Sequence, residues 1–142
     1  MGTIIERTYK KAKKLKSCNL FTGKENFDEL IHLFLSPQGI EFCQKNGFPD
    51  MELMNEYKCL EVQKYGIYIN AEKIKLSNVE RICLVGNTDA ELYFDDPTKR
   101  HVIILMHGAK ASIKAVDYSV VFVYAMDDCK IVREVKNNAS IM

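Results

Sequence analysis

The residues with the clearest chemical potential are basic and lie close together near the start of the chain. The first 24 residues carry a local charge of +6, and since the whole chain is +1 the remaining residues are at −5. Amine groups at this density can neutralise nucleic-acid phosphates and release their counterions. The candidate nucleic-acid contacts are Lys10, Lys11, Lys13, Lys14 and Lys16.

The competing interpretation of these lysines is a solvated helix face that contacts no partner. No zinc-finger, helix-turn-helix or RNA-recognition signature accompanies them. A wide nucleic-acid interface also needs a more basic protein than a chain of net charge +1. Nucleic-acid binding through this segment is therefore kept as the alternative function.

Histidines and paired aspartates are the next candidates, for metal binding or acid–base chemistry. His101 and His107 bracket one predicted strand and lie about 20 Å apart along it, too far to share a metal. The pairs Asp95–Asp96 and Asp127–Asp128 could hold a divalent cation, but neighbouring aspartates are also ordinary turn residues. We therefore assign no catalytic or metal-binding residue, and a role for either histidine stays open.

The five cysteines indicate a reducing environment, because their number is odd and no CxxC or Cys/His pair has zinc-site spacing. They predict buried thiols in a cytoplasmic protein. The glycine-rich phosphate loops and the GxSxG elbow of hydrolases are also missing from the sequence. We accordingly assign no cofactor and do not expect an enzyme. No apolar run approaches the length of about 20 residues that a membrane span needs.

The lysines belong to the first of several short predicted helices. Residues 3–17 place Ile4, Thr8, Ala12 and Leu15 at helical spacing, with the lysines on the other faces. Further helix starts are predicted where a capping side chain precedes an apolar stretch. These starts are Asn26, with Glu29 at the capping-box position, Ser36 followed by Pro37, and Asp50.

The last third of the chain follows a different pattern, in which short apolar segments recur every nine to eleven residues. Turns rich in Gly, Asn and Asp separate the segments. Such a pattern predicts strands joined by short turns, with no helices between them. The segment centres are Ile82, Leu92, Ile103, Ile113, Phe122, Ile131 and Ile141.

Two architectures fit this pattern. In a β-solenoid, alternate segments stack in two parallel sheets, with Ile82, Ile103, Phe122 and Ile141 in one and Leu92, Ile113 and Ile131 in the other. In an antiparallel meander or sandwich, neighbouring strands pair through hairpins. We favour the solenoid because a small-x-apolar phrase recurs and the turns between these segments lack the Asn-Gly and Asp-Gly pairs of tight hairpins. The recurring phrases begin at Ala90, Ala111 and Ala139.

Residues 80–142 also resemble the short C-terminal β-solenoids of uncharacterised bacterial and phage proteins. The resemblance rests on the phrases GNTDAELYF, HGAKASIKA and VVFVY. It concerns architecture and implies a stack of coils. It brings no named activity and no functional residue.

The sequence thus predicts an α+β protein in which N-terminal short helices (1–60) cap a C-terminal short two-sheet solenoid (61–142), packed as one unit. A regular stack presents flat faces, here with exposed side chains such as Glu91, Lys110, Lys114 and Lys130. Exposed coil ends favour pairing with another copy. The predicted function is a non-enzymatic protein-interaction or structural module that self-associates as a homo-oligomer or binds a protein partner.

Overall fold

The structure is a computed structural model that describes residues 3–15 and 21–142. Contacts within the chain divide it into two compact units, Met1–Leu60 and Glu61–Met142. The first unit is helical and the second is built from strands. The expectation that the two parts pack as one unit stays a prediction.

Four α-helices lie within the described part of the first unit: α1 Ile4–Lys14, α2 Phe27–Phe34, α3 Pro37–Asn46 and α4 Met51–Lys58. Each begins after a side chain that accepts a backbone N–H of the first turn, which would otherwise lack a partner. The predicted starts are confirmed. The capping residues are Thr3, Asn26, Ser36 and Asp50.

The caps also fix how tightly the helices follow one another. Asn26 and Glu29 form the predicted reciprocal capping box, at 2.8 and 3.0 Å. Gly47 ends α3 in the left-handed region, at φ 61°. Gly39 lies where a Cβ would be 2.1 Å from the Leu33 carbonyl oxygen, so only glycine lets α3 start directly against the end of α2.

A 3₁₀ turn, Val62–Tyr65, opens the second unit. The strands described after it are β1 Ile67–Ile69, β2 Glu72–Ser77, β3 Arg81–Val85, β4 Thr88–Phe94, β5 Arg100–Met106, β6 Lys110–Ala115, β7 Val120–Ala125, β8 Lys130–Val135 and β9 Ser140–Ile141.

Among these strands, the odd-numbered ones form a five-stranded sheet and the even-numbered ones a four-stranded sheet, each in chain order. Every pairing is parallel. The unit is therefore a β-solenoid of about four turns. The predicted α+β fold with a two-sheet solenoid is confirmed, and the antiparallel alternative is wrong.

The corners of the coils stack as regularly as the strands. Asn78 and Asp95 exchange two hydrogen bonds, Asn78 Nδ2 to Asp95 Oδ1 at 2.7 Å and Asp95 N to Asn78 Oδ1 at 2.9 Å. Asn137 Nδ2 donates to Asp117 Oδ1 at 2.9 Å. Asn78, Asp117 and Asn137 have positive φ, which Asn and Asp tolerate better than other side chains. These residues turn the chain at a coil corner rather than in a hairpin.

The predicted stacking of individual residues is partly wrong. Ile82 lies beside Ile103, and Leu92 beside Ile113, as predicted. Phe122, however, lies beside Val102 instead of Ile103. Spacing between apolar centres does not resolve a difference of one residue, and one residue reverses the side of the sheet that a side chain faces.

Two other details of the predicted repeat also change. Ile131 lies beside Ala111, which leaves Arg133 beside Ile113. The small-x-apolar phrases at Ala90 and Ala111 stack directly, but the phrase at residues 139–141 belongs to β9, in the other sheet. The first coil, β1 and β2, precedes the predicted repeat.

Alternation along the strands places the solenoid core between the two sheets. In β4, Ala90, Leu92 and Phe94 are buried while Asp89 and Glu91 are exposed. In β3, by contrast, residues 82–85 are all buried. One sheet is therefore buried on both faces along β3, whereas the four-stranded sheet presents an outer face to solvent.

Candidate functional site

The lysine-rich helix α1 has one continuous basic face. Lys10, Lys13 and Lys14 are exposed, and their i, i+3 and i+4 spacing puts them on one side. Thr8 and Ala12, two positions to either side of Lys10, are buried and mark the opposite side. The three amines are therefore presented outward by the packing of the helix itself.

The other basic residues of α1 are held by acids. Arg7 pairs with Glu56 of α4. Lys11 Nζ lies 3.1 Å from Asp50 Oδ2 and 3.8 Å from Glu52 Oε2. Two of the segment's cations are thus neutralised locally, and the charge open to a partner is smaller than the sequence indicates. The remaining candidate contact, Lys16, lies outside the described residues.

The outer face of the four-stranded sheet carries three rows of aligned side chains. Strands repeat about every 4.8 Å, so each row is a regular ladder. Lys75 lies 4.0 Å from Glu91, and Lys114 lies 3.8 Å from Glu134. Lys114 is half-buried rather than exposed. The rows are Lys73, Asp89, Lys110 and Lys130; Lys75, Glu91, Ser112 and Val132; and Ser77, Tyr93, Lys114 and Glu134.

Among the described strands, β8 and β9 lie at one end of their sheets. Among the described strands, β8 pairs with β6 alone and β9 with β7 alone. Their outer backbone N–H and C=O groups can therefore accept another strand. Side chains here are unusually exposed for apolar residues, with Val132 at 66% and Val135 at 50%.

Arg133 interrupts the apolar core at this end. The column to which it belongs continues inward through Ile113 and Leu92, which are buried. Arg133 itself is exposed. A cation in a core column at the edge of a sheet opposes indefinite addition of further strands. This role of Arg133 was not predicted from the sequence. Once the register is known, a single charged residue in an apolar column indicates it.

The histidines do not converge on a site. His101 is fully buried, with Nδ1 2.9 Å from the Val79 carbonyl oxygen and Nε2 3.0 Å from that of Asp96. Its ring also packs against Phe94, with 4.7 Å between centroids. His107 lies in the turn after β5, at φ 54°. Both ring nitrogens of His101 thus contact backbone carbonyl oxygens at a coil corner, which is a structural role.

The aspartate pairs also take part in local turn bonding. Asp96 Oδ1 accepts hydrogen bonds from Thr98 N at 2.9 Å and Thr98 Oγ1 at 2.5 Å. These bonds lower the pKa of the Asp96 carboxyl. Asp128 Oδ1 accepts from Cys129 Sγ at 3.6 Å. Across residues 3–15 and 21–142, no group of three or more His, Cys, Asp or Glu residues could hold a metal ion.

Two thiols of the solenoid, Cys83 and Cys129, are poor nucleophiles. Burial raises the pKa of Cys83 to about 12 and also raises the pKa of the half-buried Cys129. Because the thiolate is the reactive form, both side chains stay protonated and unreactive near neutral pH. Cys59 lies at the surface at the end of α4.

Comparison with protein-family models, with curated proteins and with solved structures finds no match to this chain. None of the helices in the described ranges is long and apolar enough to span a membrane. Three features of the described residues bear on function: the basic face of α1, the outer face of the four-stranded sheet and the outer edge of β8.

Proposed function

We propose that this chain is a non-enzymatic cytoplasmic interaction and structural module, and that its solenoid self-associates through the open edge of the last coil. The observation that supports the proposal is the outer edge of β8, with which no described strand pairs, together with its exposed apolar side chains. A parallel stack ending in this way leaves a row of backbone donors and acceptors that a second strand can satisfy.

The side chains of β8 are complementary to themselves. In an antiparallel pair centred on Val132, Lys130 lies opposite Glu134 of the second copy, and the reverse contact is made by symmetry. The exposed Val132 side chains then meet at the two-fold axis, where each removes apolar surface of the other from water. Opposite charges facing each other across an antiparallel pair favour this register.

Arg133 favours a closed pair over a filament. Its position in the core column would bury a guanidinium if coils of the same type continued to stack, at high cost without a partner. In a two-fold pair, Arg133 lies opposite Ile131 of the other copy, where its aliphatic stem can pack and its head can reach solvent. Two-fold closure is also the commonest symmetry of homo-oligomers.

Charge reversal tests this register. Either Lys130→Glu or Glu134→Lys turns two attractive contacts into repulsive ones, which should weaken the dimer about tenfold. The combined Lys130→Glu, Glu134→Lys variant restores both contacts and should recover dimerisation. The measurement is the particle mass by light scattering and sedimentation across a concentration series.

Tyr93→Glu is the matched control, because Tyr93 is on the same sheet face but on an interior strand. It should leave the dimer unchanged. A strict monomer at about 100 µM would overturn self-association, since productive homodimers of ordinary affinity are largely assembled there. If the dimer had the same affinity in the two single charge-reversal variants and in the double variant, the β8 register would be overturned.

The second candidate function is nucleic-acid binding through α1, favoured by the shared exposed face of Lys10, Lys13 and Lys14. Three phosphate contacts predict a modest salt dependence, with a slope of about −2.7 in log affinity against log salt for duplex DNA. A mobility-shift titration with duplex and single-stranded probes should show binding that disappears when the three lysines become glutamate.

A second triple variant controls for overall charge. Lys73, Lys75 and Lys110 are exposed lysines on the solenoid, and changing them to glutamate alters net charge equally. Nucleic-acid binding through α1 predicts that this variant retains its affinity. Equal loss in both variants would show nonspecific charge attraction instead, and no shift at low salt would rule the function out.

A further inference from the structure

We infer that the helical unit binds a small, largely apolar molecule in a cavity of about 300 Å³ among its helices. This site is separate from the β8 edge and from the lysines of α1, and it does not depend on the proposed function. Among the described residues, its walls come from Leu30, Ile31 and Phe34 of α2, Phe42 and Cys43 of α3, and Tyr57 of α4.

The cavity follows from how the helices are joined. Only Leu35 and Ser36 separate α2 from α3, and Gly39 lets α3 begin directly against the end of α2, so the two helices meet at a tight corner. The cavity lies beside this corner, with residues of both helices in its lining. Phe34 and Phe42 line the gap and stay half-buried. Phe42 is fixed against Phe48, with 5.7 Å between ring centroids. The apolar walls are therefore preformed.

The chemistry of the walls selects an apolar ligand body. The two hydroxyl groups in the lining, Thr8 Oγ1 and Tyr57 Oη, lie 2.6 Å apart and bond to each other. Thr8 already donates to the Ile4 carbonyl oxygen, so Tyr57 is the donor of the pair. Throughout the described chain, no buried side-chain nitrogen or oxygen lacks a partner. A polar group inserted here would lose its bonds to water without replacement.

Polar groups are available at the rim. Gln38, Glu41 and Lys45 lie along one side of α3, are exposed and border the cavity. A ligand with a hydrocarbon body and one polar end therefore fits with the body inside and the polar end among these side chains. The volume is at the lower end for small-molecule sites, enough for a body of about ten carbon atoms. Bicyclic aromatic compounds and medium-length acyl chains share this chemistry.

Alkylation of Cys43 tests the inference in the wild-type protein. Cys43 is buried among the helices but lines the cavity, through which a reagent can reach it. Cys59 is exposed outside the cavity, and Cys83 is buried in the solenoid. Each can be followed separately by peptide mass spectrometry after treatment with N-ethylmaleimide, with indole, octanoate or no addition. Ligand binding should slow alkylation of Cys43 about tenfold at about ten times the dissociation constant.

The thiols of Cys59 and Cys83 are internal controls. Cys59 should react at the same rate with and without the compounds, and Cys83 should stay protected throughout. Protection of Cys43 by indole alone would assign an aromatic ligand, and by octanoate alone an acyl ligand. Failure of both compounds to protect Cys43, or parallel changes at all three thiols, would overturn the site.

A rim variant gives a second readout. Leu33→Lys puts a charge on the half-buried edge of the cavity and should abolish protection of Cys43. Leu60→Lys makes the same change at an exposed leucine outside the cavity and should preserve protection. Protection that persists in Leu33→Lys would count against the cavity as the binding site. If Leu33→Lys fails to fold, protection of Cys43 in the wild-type protein still tests whether the cavity binds a ligand.

Discussion

The Thr8–Tyr57 pair shows how a buried polar contact can be essential for one partner and dispensable for the other. Tyr57 is buried, and burial raises the pKa of its hydroxyl well above the ordinary value. The hydroxyl therefore stays protonated and must donate. Its acceptor is Thr8, whose own proton goes to Ile4.

Removing either hydroxyl should accordingly have unequal effects on stability. Thr8→Val leaves the Tyr57 hydroxyl buried without an acceptor, at a cost of about 1–3 kcal/mol, whereas Tyr57→Phe removes the donor and should cost about 1 kcal/mol. Urea unfolding of both single variants and the double variant measures this. The double variant should be less destabilised than the sum of the singles, and additive losses would contradict the hydrogen-bond assignment.

At the residue scale, the sequence predicts which side of α1 carries charge but not which charges are available. The spacing of Lys10, Lys13 and Lys14 relative to Thr8 and Ala12 is a property of helical periodicity. The pairing of Arg7 with Glu56 and of Lys11 with Asp50 joins residues far apart in sequence. Such pairs depend on tertiary packing, which local patterns do not contain.

At the scale of elements, Gly66 fixes the entry to the first coil. Its φ is 81°, and a Cβ there would lie 2.7 Å from the Arg81 carbonyl oxygen. The Gly66 carbonyl oxygen also accepts from Cys83 N at 2.8 Å, so the backbone cannot shift away freely. A glycine is required here both for conformation and for space.

Gly108 separates these two requirements. Its φ is 82°, but nothing lies within 4 Å of the position of a Cβ. Gly108→Ala should therefore cost only the left-handed conformation, about 1–2 kcal/mol, while Gly66→Ala adds a steric clash and should cost more. Urea unfolding midpoints compare the two. Equal destabilisation would show that the backbone at Gly66 relaxes without penalty.

Helix starts were more predictable than strand registers for a physical reason. A cap such as Asn26 with Glu29 is a local contact between residues three apart, visible in the sequence. The register of β7 depends on the length of each corner between coils. Paired residues of β5 and β7 are 20 apart, as His101 and Val121, whereas the predicted step from Ile103 to Phe122 is 19. That single residue displaced Phe122 from its predicted column.

For the molecule as a whole, the periodic apolar segments were sufficient to predict two parallel stacks. The first coil was not recognised because it is shorter, with Ile67 and Cys83 paired at a separation of 16 residues. The role of the end coil was also not predictable, because Arg133 is an ordinary residue of a polar-looking strand until its register places it in the core column. The cavity among the helices depends on their crossing, which no local pattern encodes.

The near-constant step of the later coils restricts how this protein can change in length. Duplicating or deleting a whole coil preserves which side chains face inward and changes the height of the stack by about 4.8 Å. Adding one residue within a strand instead moves every later side chain of that strand to the opposite face of the sheet. Gains and losses in this lineage should therefore come in blocks of one coil, with smaller insertions confined to the corners.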